Sequence, residues 1–76
     1  MKPLVLWCRW HEAKLRLHGR SANEVWGELD FSNRTARFRY QIDTRTLTFW
    51  KGNTPKTIFL DDMGVERQEN GDQQTD

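Results

Sequence analysis

Arginine and tryptophan side chains are the residues of this chain whose types and spacing could do chemistry. Basic residues recur through the first 60 positions, and Trp7, Trp26 and Trp50 lie among them as candidate exposed or half-exposed rings. Cationic side chains bind phosphate and indole rings stack on unpaired bases, so this interleaving is typical of proteins that bind single-stranded nucleic acid. The residues that we predict to contact nucleic acid or a partner are Arg9, Arg16, Arg20, Arg45, Lys51, Trp7 and Trp50.

The same residue types favour a second interpretation, a protein-binding adaptor or inhibitor. Trp and Arg are enriched among the residues that dominate protein interfaces. A small sheet also has exposed strand edges, which can accept a strand from a partner. Both interpretations stay open at this stage, with nucleic acid as the first.

The residues that could hold a metal or act as nucleophiles are Cys8, His11 and His18. A structural zinc site needs four ligands, and the spacing C-x2-H-x6-H supplies three. We therefore predict a buried, inert Cys8 and two surface histidines, with no metal and no cofactor. Asp61 and Asp62 are adjacent, and neighbouring side chains at a strand end point to opposite sides, so these two carboxylates do not form a catalytic pair. With no phosphate loop or nucleophile elbow either, we predict a protein that is not an enzyme.

Charge divides the 76-residue chain unevenly. Residues 1–60 hold 11 Lys or Arg and 5 Asp or Glu, a net charge of +6. Residues 61–76 hold one Arg and six Asp or Glu, a net charge of −5. We predict one globular domain over 1–60 and a disordered acidic tail over 61–76. The tail could compete with nucleic acid, recruit a basic partner, or only add solubility.

The single cysteine and the short apolar runs predict a location in the cytoplasm. With only Cys8, no disulfide can form within the chain, as is usual in a reducing compartment. The longest apolar run, residues 4–8, is too short for a signal peptide core or a membrane span. We therefore predict no membrane association, and the oligomeric state is left open.

The segment that must position these side chains is residues 28–51, where apolar and polar residues alternate. This period predicts three antiparallel strands, joined by two-residue turns at 33–34 and 44–45. The residues predicted to point inward are Leu29, Phe31, Ala36, Phe38, Tyr40, Ile42, Leu47 and Phe49.

These two turns also predict a register. Leu29 would lie opposite Phe38, and Tyr40 opposite Phe49. Arg39 would lie between Glu28 on one neighbouring strand and Trp50 on the other. The acidic side chain would partly neutralise the arginine, which argues against a free phosphate groove.

The remaining segments complete a small sheet. Residues 1–10 are predicted as a strand, and residues 13–18 as a strand with a helix as the alternative. Residues 21–24 have capping-box spacing, typical of a helical turn, although a plain loop fits as well. Residues 51–55 form a turn signal before a strand over 57–60. We predict an all-β or β-rich α+β fold. It would be an antiparallel meander of five to six strands, with a partly closed barrel as one form and at most one short helix.

Overall fold

The alternating segments form one antiparallel sheet in the computed structural model, which describes residues 1–67. Helix α1 spans Lys2–Trp10, and the strands are β1 Lys14–Arg20, β2 Glu24–Phe31, β3 Arg34–Gln41, β4 Thr46–Lys51, β5 Thr54–Leu60 and β6 Glu66–Arg67. The strands lie side by side in chain order, and the sheet is open, with β1 and β6 at its edges. The predicted meander of five to six strands with at most one short helix is confirmed.

One side of the sheet forms the hydrophobic core. Its buried residues are Val25, Leu29, Ala36, Phe38, Tyr40, Leu47, Phe49, Ile58 and Leu60. Phe31 and Ile42 are partly buried against this cluster. Along β3, the exposed residues Arg37 and Arg39 alternate with buried apolar residues. The predicted inward side of residues 28–51 is therefore confirmed.

The predicted register of the first hairpin is wrong by two residues. Its turn is Ser32-Asn33, so Leu29 pairs with Ala36 rather than with Phe38. This register lets eight consecutive residues of β2 pair with eight of β3. A shift by two keeps every side chain on its predicted side of the sheet, because the strand repeat is two residues.

The second hairpin differs from the prediction in the same way. Its turn has four residues, 42–45, and Tyr40 pairs with Leu47 rather than with Phe49. Arg45 closes the turn in the left-handed region, with φ 57°. Its carbonyl then accepts a hydrogen bond from the Leu60 amide at 2.9 Å, which ties the turn to β5.

The predicted strand over residues 1–10 is wrong, because this segment forms α1. Leu4, Trp7 and Cys8 are its buried residues, and their spacing places them on one side of a helix. Pro3 lies in the first turn, where a helix tolerates a residue without an amide hydrogen. The helix packs on the apolar side of the sheet and completes the core.

Residues 13–26 settle two of the open alternatives. Residues 13–18 fall largely within β1, as predicted, and Leu15 pairs with Leu29 of β2. Residues 21–23 form a loop and not a helical turn, and the Ser21 amide donates to the Glu24 carbonyl at 2.8 Å.

The predicted tail over 61–76 begins with residues that belong to the fold. The Asp61 carboxylate accepts hydrogen bonds from the Met63 amide at 2.8 Å and the Val65 amide at 2.9 Å, and these bonds lower the pKa of Asp61. After this turn, β6 pairs with β5. The rest of the predicted tail, residues 68–76, lies outside the described residues.

A bulge in β1 brings its backbone against Gly27 of β2. The register shifts between Leu17 and Gly19, and a Cβ on Gly27 would lie 1.9 Å from the Arg16 carbonyl oxygen. Backbone atoms cannot rotate out of the way as a side chain can, so even one added methyl group must displace a strand.

We expect Gly27→Ala to lower the free energy of unfolding by about 3 kcal/mol, the upper part of the range for overpacking. Urea unfolding followed by circular dichroism measures this loss. Gly52→Ala is the comparison, because Gly52 has φ +63° with open space around it. That variant should lose only about 1 kcal/mol from backbone conformation. Equal losses in the two variants would contradict the close contact at Gly27.

Candidate nucleic-acid interface

The side of the sheet that α1 leaves uncovered carries a shallow cleft of about 210 Å³. We call it the open-face cleft, and its lining residues are His18, Trp26, Gly27, Glu28, Arg37, Phe38, Arg39 and Trp50. Small-molecule pockets usually measure about 300–1,000 Å³, so this cleft is too small to enclose a ligand and can contact only part of one. Two indole rings and two guanidinium groups surround that space.

Trp26 owes its position to a glycine on the neighbouring strand. Gly19 of β1 pairs with Trp26, and a Cβ on Gly19 would lie 2.6 Å from the indole ring. The ring therefore lies directly against the β1 backbone, half-buried. This contact holds one edge of the ring in place and leaves the rest of it on the open face.

Trp50 lies on β4, with a cation above its ring. The Arg37 guanidinium carbon is 5.1 Å from the ring centroid, which is a cation–π contact. Among residues 1–67, no carboxylate lies within 4.0 Å of the Arg37 guanidinium. Arg37 is also exposed, so its charge can reach an anion placed beside Trp50.

The acidic residues of β2 reduce the positive charge of this surface. Asp30 accepts two hydrogen bonds from Arg16, at 2.7 and 3.2 Å, and one from the Thr35 hydroxyl at 2.6 Å. The Thr35 and Arg16 hydrogen bonds lower the pKa of Asp30, so this carboxylate is ionised at neutral pH. Arg16 is therefore already paired.

Two further acidic residues of β2 lie close to basic side chains on the open face. Arg39 Nε lies 3.5 Å from a Glu24 oxygen, and His18 Nε2 lies 3.8 Å from a Glu28 oxygen. The predicted pairing of Arg39 with Glu28 is thus replaced by pairing with Glu24. All of these side chains are at least a quarter exposed, and an exposed ion pair such as Arg39–Glu24 is weak enough to exchange for a stronger anion.

The structure brings part of the predicted contact set together. Trp50 and Arg16 lie on the open face. Lys51 is the last residue of β4, and as the direct neighbour of Trp50 it points to the opposite side of the strand. Arg9 is exposed on α1, and Arg20 is exposed at the end of β1, opposite Val25. These last two side chains do not line the open-face cleft.

Two predicted contact residues lie on the opposite side of the sheet. Trp7 is only 2% exposed and belongs to the core, so its ring is not available to a ligand. Its indole nitrogen donates to Glu66 at 3.1 Å. Arg45 lies at the β3–β4 turn and forms an ion pair with Asp62.

The predicted contact set does not include Trp26, Arg37 and Arg39, which line the open-face cleft. The signal for Trp26 was the alternation along β2, in which Val25, Gly27 and Leu29 are all buried. Reading residues 21–26 as a helical turn or loop concealed that alternation. The predicted pairing of Arg39 with Glu28 argued against a contact role, and that pairing depended on the incorrect register.

Cys8 and the two histidines do not come together. Burial raises the pKa of the Cys8 thiol to about 11, so it stays protonated and unreactive at neutral pH. His11 stacks on Trp7 at 4.3 Å between ring centroids, and His18 lines the open-face cleft. The described residues contain no group of three or more His, Cys, Asp or Glu able to hold a metal ion.

A second exposed surface lies beside α1. Trp10 is 67% exposed, and its indole nitrogen donates to the Met63 carbonyl at 3.4 Å. Met63 and Val65 are also exposed, at 58% and 47%. We call these three residues the Trp10 patch. It is apolar, unlike the open-face cleft.

The class that this fold and cleft define is a small open antiparallel sheet with one helix on its apolar side. The chain matches no family model, no curated protein and no solved structure. Within residues 1–67, no helix has the length and apolar character that a membrane span requires.

Proposed function

We propose that this protein binds single-stranded nucleic acid on the open face of its sheet, as a binding module without catalytic activity. The observation that supports this most strongly is the joint presence of Trp26, Trp50, Arg37 and Arg39 around one cleft. Indole rings stack on unpaired bases, and guanidinium groups bind the phosphates between them. Paired bases in a duplex do not offer their flat sides, so single strands are the favoured ligand.

The charge of the described residues supports the same ligand. Residues 1–67 hold 12 Lys or Arg and 8 Asp or Glu, a net charge of +4. Near Trp50, Arg37 is exposed and does not lie within 4.0 Å of a carboxylate in the described part of the chain. Arg37, together with Arg16 and Arg39, can contact two or three phosphates.

Titration of a fluorescent single-stranded oligonucleotide at two salt concentrations tests the proposal. Each phosphate contact contributes about 0.7 to the salt slope, so two or three contacts predict a 7- to 20-fold loss of affinity between about 50 and 200 mM NaCl. The matching duplex should bind more weakly at both concentrations. Absence of binding at the lower salt concentration would exclude nucleic acid as the ligand.

We further propose that the acidic C-terminal residues compete for the basic surface. Residues 68–76 carry Glu69, Asp72 and Asp76 and no basic residue. A chain that ends after Arg67 keeps β6 and should bind the oligonucleotide roughly threefold more tightly at low salt. Screening should remove the difference near 200 mM NaCl. Equal affinities at low salt would show that these residues do not compete.

The Trp10 patch favours a second candidate function, protein binding. A largely exposed Trp beside Met63 and Val65 is the composition of an interface centre. It is separate from the open-face cleft, since none of its residues lines that cleft. If the oligonucleotide titration fails, an adaptor or inhibitor role at this patch becomes the leading proposal.

A further inference from the structure

A second cleft, of about 450 Å³, lies on the helix side of the sheet. It is bounded by the first turn of α1, the β3–β4 turn and the start of the segment after β5. Its lining residues are Met1, Lys2, Pro3, Tyr40, Ile42, Asp43, Arg45, Asp62 and Met63. The volume is within the range of small-molecule sites, and none of these residues lines the open-face cleft.

The floor of this cleft contains an unpartnered hydroxyl group. Tyr40 is 0% exposed, and its hydroxyl has no hydrogen-bond partner among residues 1–67. Buried polar groups are nearly always hydrogen-bonded, because leaving one unpaired costs free energy. Because Tyr40 also lines the cleft, its buried hydroxyl is an unused hydrogen-bond donor at this site.

Two cationic side chains and the first turn of a helix line the cleft together with Tyr40. Arg45 lies close enough to Tyr40 that its charge acts on the pKa of the phenol, opposing the rise caused by burial. The first turn of α1 forms one wall, and its N-cap Met1 makes no side-chain hydrogen bond. The first amide groups of a helix have no partner within the helix and carry partial positive charge. The Lys2 side chain adds a further cation.

The cleft also has two acidic residues, Asp43 and Asp62. Asp62 forms an ion pair with Arg45, and its side chain is 83% exposed. The Asp62 carboxylate therefore already binds the Arg45 guanidinium group. Because Asp62 is largely exposed, its side chain can move into solvent with little loss of free energy. This contact shows that Arg45 is accessible to a carboxylate, while a bound ligand would have to displace Asp62.

We propose that this cleft binds a small-molecule carboxylate that has an apolar body. The carboxylate replaces Asp62 at Arg45, accepts the Tyr40 hydroxyl hydrogen, and lies at the positive end of α1. Pro3, Ile42 and Met63 contact the apolar body. An ion without such a body, such as phosphate, uses only part of the site.

Hexanoate is a suitable probe, and two-dimensional NMR of the full chain reports where it binds. We expect saturable shifts of the backbone amides of Lys2, Leu4 and Arg45. Hexanol, which lacks the charge, and inorganic phosphate, which lacks the apolar body, should each bind more weakly. Equal shifts with hexanol would overturn the proposal, because the cleft would then be only an apolar surface. Tighter binding of phosphate would overturn the predicted ligand class.

The variant Tyr40→Phe tests whether the Tyr40 hydroxyl binds the ligand or only contributes to the stability of the fold. Removing an unpartnered buried hydroxyl should leave thermal stability equal or higher. Loss of its hydrogen bond to a charged ligand should weaken hexanoate binding about tenfold. Unchanged affinity in this variant would contradict the proposal.

Two further variants test the charges. Asp62→Asn should tighten hexanoate binding several-fold, because it removes the competing carboxylate. Arg45→Gln should weaken binding at least tenfold, since it removes the main cation. Arg34→Gln is the matched control, because Arg34 lies over Phe31 and does not line this cleft. Equal effects of Arg45→Gln and Arg34→Gln would also overturn the proposal.

Discussion

Replacing both Trp26 and Trp50 with alanine is expected to abolish measurable binding of single-stranded oligonucleotides. Each base–indole stack contributes about 1–3 kcal/mol, so each substitution alone should weaken binding about 5- to 150-fold. The two rings line one cleft but stand on β2 and β4, with β3 between them. Each ring can therefore stack on a different base. Fluorescence anisotropy at low salt measures all three variants against the unmodified protein.

Trp10→Ala is the control for this experiment. It removes an indole that is 67% exposed, but on α1 and away from the open-face cleft. Oligonucleotide affinity should not change in this variant. Circular dichroism must show that the Trp26 and Trp50 variants are folded, because Trp26 also packs on Gly19. If Trp10→Ala weakens binding as much as Trp50→Ala in folded proteins, the open face is not the interface.

Replacing Trp7 with alanine is expected to have the largest effect on stability. The ring packs against Phe31 and Phe49, with centroids 6.4 and 5.8 Å away, and its nitrogen donates to Glu66. Truncating a buried Trp to alanine costs about 3–5 kcal/mol. A domain of 76 residues has a free energy of unfolding of about 4–11 kcal/mol. The loss is therefore a large fraction of the total, and the variant should unfold at a much lower urea concentration than the unmodified protein.

Urea unfolding followed by circular dichroism measures this loss, and Trp10→Ala is again the matched control on the same helix. An exposed side chain should change the free energy of unfolding by less than about 0.5 kcal/mol. Trp7→Phe keeps an aromatic ring but loses the hydrogen bond to Glu66, so its stability should fall between the two. If Trp7→Ala were as stable as Trp10→Ala, α1 would not be part of the core.

The candidate site could be predicted only in part. Of the predicted contact residues, Trp50 and Arg16 lie on the open face. Trp26 was left out because a capping-box spacing at residues 21–24 competed with the strand alternation. Arg45 is in the predicted contact set but lies on the helix side, because a residue in the turn after β3 can point to either side of the sheet. Sequence does not show which side a turn residue takes.

The sequence by itself determined which side of each central strand is apolar. Alternation along residues 28–51 specifies inward Phe38 and Tyr40 and outward Arg37 and Arg39, because a two-residue repeat allows no other separation of apolar from polar. It also determined the turn at Gly52, where a positive φ favours glycine.

Only the tertiary structure decided the register and the state of the N-terminal segment. A shift by two residues leaves every side chain on its own side of the sheet, so alternation cannot distinguish the predicted register from the observed one. The length of each turn and the pairing of β2 with β3 determine the register. The run from Leu4 to Cys8 fits a strand or a helix equally well. It is a helix because the apolar side of an open sheet requires a cover, and α1 provides it. That packing also buries Trp7 and leaves Trp26 and Trp50 together on the uncovered side.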